Sequence, residues 1–280
     1  MTLSGPRWLT RSKLLVTKSK WERQMIDTHT TEVIANHRSI RAFKAQTLAK
    51  EQLTTLYKMA SQTSTSMFMQ QFSILHVTDP AKRAAVRAVS GQRYVGANGD
   101  LFIFIVDLYR NQQIRQQLGY DDGRLHTTDI FFQALEDTVL AVQNFVTAAE
   151  SLGLGAVILG SINDDPEALL AALDLPKMTL PLLGVQGGVP DQAPQLKPRL
   201  PLEQVAFEND YPQDFEVASL KDYDQVVQTY YDLRDTSRRI DSFTKQITGA
   251  KLNTKRIDRD KLAQVIQRQG LALDWQPKKG

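Results

Sequence analysis

The first long periodic segment of the chain is "KEQLTTLYKMA", in which Leu53, Leu56, Tyr57 and Ala60 recur at i, i+3, i+4 and i+7, the spacing that lines one face of a helix with apolar side chains. "QFSILHVTD" then reads as a strand. "LFIFIVD", from Leu101 to Asp107, is almost wholly apolar and rich in Ile, Val and Phe, which predicts a strand covered on both faces in the middle of a sheet. The strongest helical pattern runs from about Ile130 to Leu152. Its buried stripe is Leu135, Val139, Val142, Phe145, Val146 and Ala149, and Gly153 stands at the left-handed position that ends many helices. "GAVILG" (Gly155 to Gly160) reads as a short strand, "DDPEALLAALDL" restarts a helix with Asp164 or Asp165 as cap and Pro166 in its first turn, and "TLPLLGVQGG" reads as another strand. Next, "VPDQAPQLKPRLP" has four prolines in thirteen residues and predicts an extended, irregular segment. Helical patterns with basic breaks fill 217 to 270. Interleaving in this irregular order predicts an α+β fold with helices around one sheet.

Composition narrows the chemistry. The 280 residues are 42% hydrophobic and 23% charged, enough to bury a core in one domain or one domain with an excursion. The absence of cysteine excludes disulfides, thiolate metal sites, iron–sulfur clusters and a cysteine nucleophile; four scattered histidines (His29, His37, His76, His126) argue against zinc, and no metal is expected. The net charge of +3 is uneven: residues 1 to 24 carry six basic side chains and one acid, leaving the remainder at −2. A nucleic-acid-binding face belongs on the folded domain, so this distribution argues against one. Residues 1–25 are expected to be a basic extension, disordered or a start-site artefact with Met25 as the natural beginning, although an acid-poor leader also permits a transit peptide. No window reaches the ~18 apolar residues of a membrane span, and a cytoplasmic protein is expected, with residues 26–280 forming the domain.

"HRSIRAF" (His37 to Phe43) sets two arginines, a histidine and a serine hydroxyl in five positions ahead of an aromatic anchor. Alone, it could be an anion site or the polar start of a helix. With it come "TSTSMFMQ" (Thr63 to Gln70), "SGQRYVG" (Ser90 to Gly96), "ESLGLGAVILGSI" (Glu150 to Ile162) and "LKPRLP" (Leu196 to Pro201). In this order and spacing, over about residues 26 to 270, the sequence resembles the nitroreductase superfamily, and within it the NADPH-dependent, oxygen-insensitive nitroreductase and flavin reductase subgroup.

The resemblance implies an α+β fold around a mainly antiparallel sheet surrounded by helices, a homodimer, and FMN bound at the subunit interface. It assigns His37, Arg38 and Ser39 to the FMN phosphate region, Arg41 to the flavin, and Lys197 with Arg199 to the other half of the phosphate clamp. Forked guanidinium donors suit such a dianion. Ile158, Leu159, Gly160 and Ser161 would pass beside the ring, with Gly160 allowing close approach; the subgroup often has an aromatic where Ile158 stands and a glycine where Ser161 stands. Gln92 would hydrogen-bond the flavin, Thr65, Ser66 and Gln70 are cofactor candidates, and Phe68 and Tyr94 would border the substrate cavity. Arg234 and Arg238 in "YYDLRDTSRRIDSF" match an arginine-bearing loop that grips the NADPH 2′-phosphate, one residue shorter here.

The chemistry implied is hydride transfer from NADPH to flavin N5, then two-electron transfer to a nitroaromatic, quinone or free flavin in a ping-pong cycle. The protein supplies position and electrostatics, with Arg41 as the candidate stabiliser of the reduced flavin and no catalytic acid or base. Alternatives are a dedicated flavin reductase, a dehalogenating or flavin-degrading branch of the same fold, and a non-enzymatic basic nucleic-acid-binding protein.

Overall fold

The computed structural model describes residues 26–230, 241–249, 252 and 258–275. The basic leader, and the loop bearing Arg234 and Arg238, lie outside the described residues. Those within Ser39–Gln192 and Arg256–Gly280 form one compact unit, and those within Met1–Arg38 and Ala193–Lys255 another.

The first unit is built on a sheet of β1 (Phe72–Val77), β2 (Asp100–Asp107), β3 (Gly155–Leu159) and β4 (Thr179–Gly188), in the order β1-β2-β4-β3 with every neighbour antiparallel. β2 is buried at all positions, as its unbroken apolar run predicts. Its alternate side chains feed two cores. Phe102 and Phe104 pack with Leu56 and Ala60 of α2 (Lys50–Ser61) and with Phe145 and Val146 of α5 (Thr128–Ser151). Leu101, Ile103 and Ile105 pack with Val86 of α3 (Pro80–Ser90) and with Leu169 and Leu173 of α6 (Pro166–Leu173). The β2–β4 register shifts between Phe104 and Ile105, opposite Pro181, a residue without the N–H that an unbroken ladder requires.

The helix ends follow their sequence signals. Asp79 caps α3 by accepting from Lys82 N at 2.8 Å, and Gly91 closes it with φ 62°. Asp165, not Asp164, caps α6, accepting from Ala168 N at 3.1 Å. Gly153 follows α5 with φ 74°. One expectation is corrected on α5: Val139 is 42% exposed and outside the core. The helix instead seats Ala134, Asp137, Thr138 and Ala141 inward, because small residues let its axis lie close to the sheet and turn the buried face away from Val139.

α4 (Tyr109–Gln117) and α9 (Leu262–Arg268) complete this unit. Val265, Ile266, Leu271 and Ala272 extend the core around Val106, Phe131 and Leu180. In the other unit stand α1 (His29–Ala35), α7 (Lys221–Gln228) and α8 (Phe243–Ile247). α7 and α8 are joined by an edge-on contact of Tyr223 and Phe243 (5.5 Å) and by Asp224, which accepts from Thr244 N and Oγ1 at 3.0 and 2.5 Å. Those bonds, led by the hydroxyl, hold the Asp224 carboxyl below the usual aspartate range. Among the described residues no helix is long and apolar enough to cross a membrane, and no group of three or more His, Asp or Glu could hold a metal.

Candidate functional site

The Ser39–Phe43 part of "HRSIRAF" is tied to the sheet at both ends. Ser39 bridges Ala156 of β3 in parallel, and Ile40 N donates to Ala156 O at 2.9 Å. Phe43 bridges Pro190, flanked by Lys44 N to Val189 O (3.0 Å) and Asp191 N to Ala42 O (2.9 Å). Ile40 and Phe43 are buried, 7% and 2% exposed, so Phe43 is the anchor the sequence predicts. Both apolar plugs need glycines opposite them. A Cβ on Gly155 would lie 2.7 Å from Ile40 Cγ1, and one on Gly99 (φ 75°) would lie 2.7 Å from Gly187 O and 3.1 Å from Phe43 Cγ. With its neighbours turned inward, Arg41 is left with a buried Nε that has no hydrogen-bond partner among the described residues. Such an orphaned donor is costly unless a ligand takes it.

β3 leads into a 3-10 turn, Gly160–Asn163. Ile158 is 39% exposed, whereas Leu159 is 2% exposed and sits in the core with Ile103, leaving only its backbone for a ligand. The chain itself does not crowd Gly160: nothing lies within 4 Å of a Cβ there. Any demand for glycine at 160 therefore comes from outside the chain, and the crowding inside it falls on Gly155. The turn is held by Arg259, which donates to Gly160 O at 2.7 Å and pairs with Asp164 at 2.5 Å, and by Asn163 Nδ2 to Leu182 O at 2.7 Å.

The loop bearing Gln92 and Tyr94 is fixed from beneath. Arg87 donates to Val95 O and Gly96 O, both at 2.7 Å, and Arg83 to Gly99 O at 2.7 Å and Gly96 O at 3.1 Å. Gln186 accepts from Gly96 N and donates to Tyr94 O and Asn98 O. Burial lowers the Arg83 pKa, opposed by the nearby Asp100 carboxylate. Gln92 and Tyr94 are half-buried at the rim of this scaffold.

In "TSTSMFMQ" the 3-10 turn Ser66–Phe68 carries unusual backbone, with φ of 49° at Met67, 60° at Phe68 and 50° at Gln70. Thr65 and Ser66 are half-buried, and Phe68 stands 81% exposed. Beside this loop lies an open cavity of about 620 Å³, lined by Met69, Gln70, Tyr57, Phe72, Ile74 and Arg110 but by neither Phe68 nor Tyr94.

The second unit holds the remaining expected cations. His37 N donates to Ile34 O at 3.2 Å at the end of α1, and Arg38 Nη1 donates to Asn36 O at 2.9 Å. Arg199 is exposed and curls onto Lys197 O at 2.9 Å. Burial raises the Tyr223 pKa, and the charge of Arg199 opposes that rise.

Arg83, Arg87, Gln186, Asp137 and Arg259 escape sequence reading because each acts through backbone groups outside its own element, eight residues away for Arg87 and 99 for Arg259. Only the spacing of Arg83 and Arg87, four residues apart and so on one face of α3, could have drawn notice.

Two profiles match the chain: the Nitroreductase family over residues 34–188 and the Nitroreductase family, C-terminal domain, over residues 197–274. A protein of Bacillus subtilis (strain 168) named FMN reductase (NADPH) is 39% identical over 224 residues, spanning 78% of this chain and 90% of its own. The solved NfrA1 nitroreductase from B. subtilis superposes with a TM-score of 0.80 at 35% identity, covering 87% of this chain and 99% of that one. The NADPH:FMN oxidoreductase of Vibrio harveyi, solved with NAD+, gives 0.78 at 31% identity, covering 88% and 99%. The antiparallel α+β fold, the family profile over more than half of the chain and a relative of this similarity agree: the chain belongs to the nitroreductase family.

Proposed function

We propose that this protein is an NADPH-dependent FMN oxidoreductase that delivers two electrons to a nitroaromatic, a quinone or free flavin by a ping-pong cycle. The observation that carries the reading is the nitroreductase-family match together with Arg41, whose buried Nε, like those of Arg115 and Arg259, lacks a partner among the described residues and which lies on the segment bridged to Ala156 and Pro190. The names of the relatives support NADPH and FMN as the redox pair. The residues fit FMN: an unmet buried donor, an uncrowded glycine backbone at Gly160 and a pre-formed loop at Gln92. When bound, FMN supplies the two-electron carrier between the nicotinamide and the acceptor.

The chain's own residues bind, orient and stabilise. His37, Arg38, Lys197 and Arg199 receive the phosphate, where charge-assisted hydrogen bonds are strong, and Ser39 adds a hydroxyl. Arg41 would stabilise the negative charge that develops on reduction, since a preorganised cation set where charge develops lowers the barrier. Thr65, Ser66 and Gln92 give polar contacts to the cofactor. Ile158 and Ser161, with the backbone of Leu159 and Gly160, border the ring, and Phe68 and Tyr94 bound the acceptor's space. Arg234 and Arg238 read the 2′-phosphate that distinguishes NADPH from NADH. We also infer a homodimer, supported by the apolar outer side of α5, where Phe132, Val139 and Leu140 are 44%, 42% and 45% exposed.

Steady-state rates with NADPH against nitrofurazone, a quinone and free FMN test the acceptor class. Parallel double-reciprocal lines are expected with each productive acceptor, and intersecting lines would refute the ping-pong cycle. Arg234→Ala should raise the KM for NADPH and leave that for NADH nearly unchanged; a proportional loss of both would remove the loop as reader of the 2′-phosphate.

A further inference from the structure

Asp137 is a carboxylate in the middle of α5, 1% exposed, and no cation pairs with it among the described residues. Its two oxygens are instead divided between two backbone donors: Oδ1 accepts from Ser66 N at 2.7 Å and Oδ2 from Gln71 N at 3.1 Å. These amides bracket the turn in which Met67, Phe68 and Gln70 adopt positive φ, a conformation that side-chain-bearing residues rarely hold without outside support. The carbonyls of the same turn are taken from the other side by α4, with Arg110 donating to Gln70 O and Asn111 Nδ2 to Met69 O at 3.2 Å. Gln71 is further fixed because its carbonyl accepts from Asp107 N at 3.0 Å. The turn is thus gripped by its N–H groups from α5 and by its C=O groups from α4, and it presents Phe68 and Met67 outward, 81% and 60% exposed.

We propose that Asp137 is a positioning residue that holds the Thr65–Gln71 turn in this strained form, and that the grip sets the affinity for FMN by keeping Thr65 and Ser66 in place. This rests on the reading that the turn carries cofactor ligands. A carboxylate is needed because both of its oxygens accept, whereas an isosteric amide offers one acceptor and turns an N–H donor toward the other amide.

Asp137→Asn is the direct test, read by amide hydrogen exchange at Ser66 and Gln71 in the apoprotein and by FMN titration. The two amides should exchange at least about 10-fold faster and FMN should bind about 10- to 150-fold more weakly, the range for one lost charge-assisted hydrogen bond. Thr138→Val serves as control: Thr138 is equally buried on the same helix, with its hydroxyl on Ala134 O, and its loss should lower the Tm without changing either readout. Should the Asn variant not fold, Ser66→Pro set against Ser66→Ala decides. Thr65 has φ −135° and ψ 146°, which suits a following proline, so this pair differs chiefly by the Ser66 N–H, and weaker FMN binding in the proline variant is expected. Unchanged exchange or FMN affinity in Asp137→Asn, the same losses in Thr138→Val, or equal affinity in the Ser66 pair would overturn the proposal. A parent that takes up no FMN would overturn the functional reading instead, while the exchange comparison still reports on the grip.

Discussion

Gly155 shows how one small residue places the charged ones. Replacing it with Ala would set a Cβ 2.7 Å from Ile40 and press the Ser39–Arg41 segment away from β3. Overpacking of this kind costs about 1–3 kcal/mol, so Gly155→Ala should lower the urea midpoint and weaken FMN retention. Gly160→Ala, with nothing within 4 Å of its Cβ, should leave stability nearly unchanged and affect only the cofactor. Arg38→Ala and Arg199→Ala should each reduce FMN affinity about 10- to 150-fold, the range for a charge-assisted bond, measured by titrating apoprotein at limiting FMN. Parent-like occupancy would remove either residue from the phosphate clamp. The polar members of the proposed site were picked out only through the company of four further motifs, since arginine, serine and histidine in five positions fit an anion site or the polar start of a helix when taken alone. Gly155 was legible as a glycine but not in its purpose, since Ile40 stands opposite it only once the chain has folded.

At the scale of elements, apolar patterning located all four strands found among the described residues, and the limits of β4 coincide with the "TLPLLGVQGG" run. On α5 it placed Val142, Phe145, Val146 and Ala149 correctly in the core and erred at Val139. A 3.6-residue pattern weighs Val139 above Ala134 or Thr138, whereas close approach to the sheet favours the smaller side chains and admits Asp137, whose partners lie 66 and 71 residues away. The start of α5 also relies on a distant group: Thr127 makes no side-chain cap, and Asp274 accepts from Thr128 N and Oγ1, both at 2.5 Å. These bonds, the hydroxyl's first, hold the Asp274 carboxyl below its ordinary value. The ionised form therefore favours the folded state; the contribution is present above the unfolded aspartate pKa, about 4, and is lost as the pH falls through the lower folded value. Asp274→Asn should have a lower Tm than the parent near pH 7, with the difference closing below about pH 4; a constant difference would show that the carboxylate charge is not involved. Arg259→Ala should free the Gly160–Asn163 turn and lower kcat/KM for NADPH, and Arg259→Lys should recover part of the loss, because both bonds leave the single nitrogen Nη2 and an ammonium has donors enough for Gly160 O and Asp164 where its shorter reach allows.

For the whole molecule, pattern reading reached an α+β architecture but not the strand order β1-β2-β4-β3, because antiparallel partners that are not neighbours in sequence leave no local signal. The resemblance carried by five motifs added a mainly antiparallel sheet, which the structure has, but no strand order. The division into two compact units was not read, since the proline-rich stretch near Ala193 looks the same whether it links units or crosses the surface of one. Uptake and reduction of FMN test the account most directly. The apoprotein is titrated with FMN while the flavin absorbance near 450 nm and the quenching of flavin fluorescence are followed, and NADPH is then added without oxygen. The account predicts saturable uptake of one FMN per chain, a yellow complex, and loss of the 450 nm band on adding NADPH, more slowly with NADH. A protein that stays colourless in excess FMN, or a bound flavin that NADPH leaves oxidised, would contradict it.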